Sequence, residues 1–238
     1  MPTADAALAW LKSNEKQSIQ RLIDWLKIPS ISTDPAYREQ CREAAAWAAE
    51  RLTEGGLAAE LIPTGTKDKP GHPIVLATTP AVKDPSAKGP HILFYGHYDV
   101  QPVDPLNLWH SAPFEPTVKP AKGDVAEHIV ARGAVDDKGQ VASFIEACLA
   151  WKHSGGPIAG GLKITVLLEG EEESGSVNLE KFVLDHQDRL KHCDVCLISD
   201  TGMYDRKTPA ITYGVRGLSY TEVVLHGSDR DLHSGQWG

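Results

Sequence analysis

Apolar residues recur at helical spacing through the first quarter of the chain and then give way to short unbroken apolar runs. In "AALAWLKSNEKQSIQRLIDWLKIPS", Leu8, Leu11, Ile19, Leu22, Ile23 and Leu26 fall on one helical face, and Pro29 ends the pattern. Residues 38–56, "REQCREAAAWAAERLTEGG", are rich in alanine and run into Gly55-Gly56, which predicts a helix with a glycine stop. Three strand-like runs follow: "LAAELIP", "PIVLATT" and "HILFYGHYDV". A turn-rich loop over 101–127 carries Pro102, Pro105, Pro113, Pro116 and Pro120.

The next stretch, "EHIVARGAVDDKGQVASFIEACLAWKHSGG", reads as strand, tight turn and helix. Val141, Ile145, Cys148 and Leu149 share one face of that helix, and Gly155-Gly156 end it. "LKITVLLEGEEESGS" reads as strand and loop, "NLEKFVLDHQDRL" as helix, and "CDVCLISD" as strand. Strands alternating with helices predict an α/β fold, a mostly parallel sheet flanked by helices on both faces. After Asp200 the pattern turns β-rich in "AITYGVRGLSYTEVVLHGSDRDLHSG". The expected division is one domain over residues 1–212 and the start of a smaller α+β domain over 213–238.

Composition narrows the functional classes. With 238 residues, 41% of them hydrophobic, the chain has ample material for one sizeable core. Its 24 basic and 32 acidic residues give a net charge of −8, which speaks against a nucleic-acid-binding surface. No stretch approaches the roughly 18 apolar residues of a membrane span. The N-terminus carries acids early and lacks the apolar centre of a signal peptide, so the expected location is the cytoplasm, with no membrane partner. Cys193 and Cys196 form a C-x-x-C that stands alone in a strand pattern, where residues three apart face opposite sides. Both are expected to be buried, reduced thiols. "GGPIAGG", 155–161, lacks the spacing of a phosphate-binding loop and reads as a turn. Trp10, Trp25 and Trp47 read as core residues.

Four stretches place acids or a histidine at the C-terminal ends of predicted strands: "GHYD", "AVDD", "EGEEES" and "ISD". That edge of an open α/β sheet is where ligands bind. An acid after a strand is by itself more often a helix cap or loop residue; four such stretches together carry more weight. Asp136, Glu173 and Asp200 gathered in one crevice would repel one another unless protonated or held by cations. One histidine among several carboxylates suits Zn²⁺, Mn²⁺ or Co²⁺ better than Ca²⁺ or a thiolate-bound zinc. His97 and Asp99, two apart on a strand, project to one side, as a liganding imidazole and its carboxylate partner would. On these residues alone, a surface histidine beside an unrelated aspartate reads equally well.

"GHYDVQP…W…APF", "ARGAVDDKG", "LEGEEESGS", "LISD" and "YGVRGLSY…DLHSG" occur in this order over residues 91–238. Together they resemble the two-metal peptidase family of carnosine dipeptidases, aminoacylases, succinyl-diaminopimelate desuccinylases and glutamate carboxypeptidases, most closely the cytosolic dipeptidase branch. The resemblance implies a zinc-peptidase-like catalytic domain that uses two divalent ions, zinc foremost. His97, Asp136, Glu173 and Asp200 become metal ligands, with Asp136 shared between the ions, and Asp99 becomes the partner of His97. Glu172 becomes the general base that takes a proton from the attacking water and passes it to the leaving amine of a dipeptide or small peptide. Glu171 is left as a variable neighbour, and Asp137 is taken as structural. His233 becomes a residue of a lid and dimerisation domain that reaches a neighbouring subunit's site in a homodimer and steadies the developing oxyanion.

The pattern departs from the family in one respect. In longer relatives the chain returns after the smaller domain and brings one more histidine ligand; no remaining histidine of this sequence sits in a matching motif. The expectation is therefore an N-terminal fragment with one fairly intact metal site, one impaired site, and weak or absent peptidase activity. A deacylase or desuccinylase acting on N-acyl amino acids would use the same fold. A non-catalytic relative would be expected to have lost ligands or base, whereas His97, Asp99, Asp136, Glu172, Glu173 and Asp200 are all present here.

Overall fold

The structure, a computed structural model, describes residues 4–228 and 230–235. It separates into two compact units, residues 1–200 and 201–238.

The first unit is an α/β layer structure. Its elements begin with α1 (Ala4–Ser13), α2 (Glu15–Leu26) and α3 (Arg38–Glu54), followed by β1 (Ala58–Ile62), β2 (Ile74–Thr78) and β3 (His91–His97). A short hairpin, β4 (Thr117–Lys119) with β5 (His128–Val130), precedes α4 (Lys138–His153) and β6 (Lys163–Glu169). The unit closes with α5 (Leu179–Asp185), α6 (Gln187–Leu190) and β7 (Val195–Ile198). The main sheet has the order β1-β2-β6-β3-β7. Since β1 and β6 both run antiparallel to β2, while β3 is parallel to β6 and to β7, every strand but β2 points the same way.

Alternation along the strands builds two cores. Val75, Ala77, Phe94, Ile164, Val166 and Leu168 face α2, α3 and α4, where Trp25, Ala44, Ala48, Leu52, Val141, Ile145 and Leu149 are buried. The intervening positions Ile74, Leu76 and Leu167 face the opposite way, onto Phe182 of α5 and Leu190 of α6. Stacking of Trp25 on Trp47 (4.8 Å) and of Phe94 on Phe144 (3.9 Å) fills the first core.

The structure departs from the sequence reading at several places. The single N-terminal helix is two, broken at Asn14. There the Asn14 backbone N–H is shared between Trp10 O (3.0 Å) and Leu11 O (3.1 Å), and Ser13 Oγ and Asn14 Nδ2 add side-chain bonds to Ala9 O and Trp10 O. The C-x-x-C thiols are not buried: Cys193 is half-exposed and Cys196 exposed, because β7 is an edge strand open on both faces. The β-rich pattern after Asp200 forms no strand among the described residues. Ile211, Tyr213, Val215 and Leu218 are exposed, and a strand without a paired neighbour leaves its N–H and C=O groups unsatisfied by protein. The first compact unit ends at Asp200. Residues 229 and 236–238 of the expected second domain lie outside the described residues.

Candidate metal centre

Strand β3 lies between β6 and β7, so its C-terminal end is flanked by theirs. His97 ends β3, opposite Glu169 of β6. The turn carrying Glu172 and Glu173 follows β6, and Asp200 follows β7. Three of the four predicted stretches therefore meet at one sheet edge. The fourth arrives differently: β5 belongs to the small hairpin, and Asp136 is delivered by the loop that opens α4. Lys138, the first residue of α4, anchors that loop. It is fully buried and donates Nζ to Trp25 O (3.1 Å) and Ile28 O (2.8 Å) at the end of α2. Burial lowers its pKa to about 7.

The His97 ring is fully buried, with both nitrogens engaged. Nε2 lies 3.0 Å from Asp136 Oδ1 and 3.6 Å from Asp200 Oδ2. One donor atom from each of these three residues lies within 4.8 Å of the others, the single such group of metal-binding side chains among the described residues. On the other side, Nδ1 faces the backbone oxygen of Asp99 at 3.1 Å and its Oδ1 at 3.3 Å. Asp99 is also fully buried; its Oδ1 makes no aligned hydrogen bond, and its Oδ2 accepts the backbone N–H of Glu173 at 3.1 Å. Tyr98 points the other way, its hydroxyl donating to Pro73 O at 2.5 Å. Its ring fills the space where any side chain at residue 170 would begin, which accounts for Gly170.

The electrostatics of the crevice favour positive charge. Burial opposes protonation of His97, but Asp99, Asp137 and Glu172 outweigh it and raise its pKa to about 10. Burial raises Asp137 to about 7 even though its Oδ2 accepts the His97 backbone N–H at 3.1 Å. Glu172 and Glu173 are raised as well, first by burial and then by neighbouring carboxylates; His97 opposes this in both, and Gln101 also opposes it at Glu173. A divalent cation meets the same demand that drives the imidazole toward protonation. One imidazole nitrogen and two carboxylate oxygens converge, and behind the ring the Asp99 backbone oxygen meets Nδ1 with the buried Asp99 carboxylate beside it. The donor set fits zinc, manganese or cobalt.

Such a constellation at the tips of parallel strands is the arrangement that the resemblance of the ordered motifs implies. Residues 93–230 match the sequence profile of Peptidase family M20/M25/M40. The chain belongs to this family. It is 32% identical to the Cys-Gly metallodipeptidase DUG1 of Saccharomyces cerevisiae, over 96% of this chain and 47% of that protein. It is 33% identical to the human Beta-Ala-His dipeptidase, over 96% of this chain and 45% of that protein. The solved structure of the yeast di-peptidase Dug1p superposes with a TM-score of 0.74 at 28% identity, covering 85% of this chain and 42% of that one. The chain thus spans about half the length of the curated relatives it matches.

Not every residue singled out from sequence joins the three-residue group. Glu173 is held beside it by Gln101, whose Nε2 donates to Glu173 Oε2 at 2.6 Å. Glu172 is half-buried next to Glu173. His233 lies in the second unit, where its Nδ1 accepts the Gly235 backbone N–H at 3.1 Å. Sequence reasoning overlooked Gln101. Gln101 falls on the same side of an extended run as His97 and Asp99, and that spacing was the available signal.

Proposed function

We propose that the chain is the metal-holding part of an enzyme that hydrolyses dipeptides. The observation that carries this reading is the convergence of His97 Nε2, Asp136 Oδ1 and Asp200 Oδ2 at the sheet edge. These residues would hold one divalent ion, and Asp136 with Glu173 a second. That leaves the second site with fewer protein donors among the described residues, and it should bind more weakly. When bound, such ions polarise the scissile carbonyl and allow water to act as a nucleophile near neutral pH.

The protein groups have separate tasks. Asp99 holds the His97 ring with its Nδ1 side occupied, leaving Nε2 to act as a donor. Glu172, half-buried and with its proton affinity raised, suits the general base: it takes the proton of the attacking water and returns it to the leaving amine. His233 is read, on the family resemblance, as reaching a neighbouring subunit's site in a homodimer formed through the lid segment 213–238 and steadying the substrate oxygen there. The dipeptide substrate class is supported by the curated relatives, which are Cys-Gly and Beta-Ala-His dipeptidases. No described helix is long and apolar enough to cross a membrane. The four free cysteines suit a reducing compartment, in keeping with a cytoplasmic location.

Zinc titration by calorimetry tests the reading. One ion should bind tightly per chain, and His97→Ala should abolish that binding. Absence of zinc binding, or binding indifferent to His97→Ala, overturns it. In a full-length protein, a panel of dipeptides and N-acyl amino acids separates peptidase from deacylase action.

A further inference from the structure

Glu171 lies next to the proposed base and ligand, yet its side chain turns away from them into the fold. It is buried, and its carboxylate is surrounded by N–H donors. Oε1 accepts from His72 N (2.9 Å) and Asn178 Nδ2 (3.0 Å); Oε2 accepts from Asn178 N (3.1 Å) and Asn178 Nδ2 (2.8 Å). No Lys or Arg pairs with it among the described residues. A buried carboxylate held by N–H groups alone is costly unless every donor is in place, so the arrangement fixes its neighbours as firmly as itself.

The backbone of Glu171 closes the adjoining turn. Its carbonyl accepts the N–H groups of Ser174 (3.1 Å) and Ser176 (2.7 Å). These bonds close the turn that carries Glu172 and Glu173, with Gly175 in the left-handed region at φ 88°. One residue thus joins three segments: the loop between β1 and β2, the start of α5, and the turn with the proposed base and ligand. Gly71 shows how close that first loop comes, since a Cβ there would lie 2.5 Å from both Glu171 Oε1 and Asn178 Nδ2.

We infer that Glu171 is a positioning residue for the metal centre. By tethering the 171–176 turn to the fold, it sets where Glu173 stands relative to Asp136 and so governs affinity for the ion that Glu173 holds. This rests on the proposed role of Glu173. A residue with a merely structural role would soften the whole unit and weaken every ion alike.

Cobalt titrations of the 238-residue chain, read by visible absorption and calorimetry, test this in wild type, Glu173→Ala, Glu171→Ala, Glu171→Gln and the double variant Glu171→Ala/Glu173→Ala. Glu171→Ala should lower the same binding step that Glu173→Ala lowers, by about 10–100-fold, and leave the His97-dependent step within about threefold. The double variant should be no weaker than Glu173→Ala alone, and Glu171→Gln, which keeps one acceptor oxygen but sets an NH2 against N–H donors, should fall between Glu171→Ala and the wild type. Should Glu171→Ala fail to fold, Asn178→Ala, which removes two of the four hydrogen bonds, is read in the same way. Wild-type affinity in whichever of these folds, or additive losses in the double variant, overturns the inference alone. If Glu173→Ala changes no binding step, the ligand role of Glu173 falls and the inference falls with it.

Discussion

The backbone N–H of Glu173 donates to Asp99 Oδ2 at 3.1 Å, while Asp99 Oδ1 lies 3.3 Å from His97 Nδ1. One buried carboxylate therefore orients a residue on each of two strand ends. Asp99→Ala should weaken zinc binding by about 10–100-fold, because the buried negative charge beside His97 Nδ1 is lost and the Glu173 turn loses its acceptor. Asp99→Asn, which keeps one acceptor but no charge, should fall between that variant and the wild type. Calorimetric titration measures both.

Metal binding should also stabilise the fold. An ion that binds only the native chain raises its stability by about 2.7 kcal/mol at a hundredfold excess over Kd. Thermal melts with and without zinc should show a rise in Tm that a chelator reverses, and His97→Ala should show no rise.

Glu172 separates binding from chemistry. Glu172→Ala should retain zinc with affinity close to wild type, whereas any dipeptide turnover by the loaded chain should fall by about 10²–10⁴-fold, the usual contribution of a general base. Near-normal turnover in that variant would assign the base elsewhere.

The ring of Tyr98 packs where a side chain at residue 170 would begin. Gly170→Ala should cost about 1–3 kcal/mol through overpacking. That corresponds to roughly 2–4 °C in Tm per kcal/mol for a chain of this size, read by differential scanning calorimetry.

Thiol reactivity checks the strand assignments. Burial pushes Cys41 and Cys148 up to about 12, while Cys196 lies exposed on edge strand β7. At pH 8, Cys196 should react first with an aromatic disulfide reagent and Cys193 more slowly. Cys41 and Cys148 should react only after unfolding.

Much of the fold was legible because burial imposes period. The unbroken apolar run Ile74-Val75-Leu76-Ala77 follows from a strand covered on both faces, and the face shared by Val141, Ile145 and Leu149 from a helix packed on one side. The site was legible for a related reason: a histidine and acids at strand ends have few uses other than capping or ligation. What escaped depended on partners remote in the chain. Nothing near "EHIV" shows that β5 pairs with β4 rather than with the main sheet, and nothing near Glu171 shows that His72 and Asn178 will surround it. Exposure of Cys196 depends on β7 lying at an edge, a property of the strand order.

The most direct test of the central claim is anomalous diffraction from crystals of the zinc-loaded chain. The account predicts a zinc ion bound by His97 Nε2 and by carboxylate oxygens of Asp136 and Asp200. Zinc located elsewhere at saturating concentration, with His97 Nε2 still hydrogen-bonded to Asp136, would contradict it.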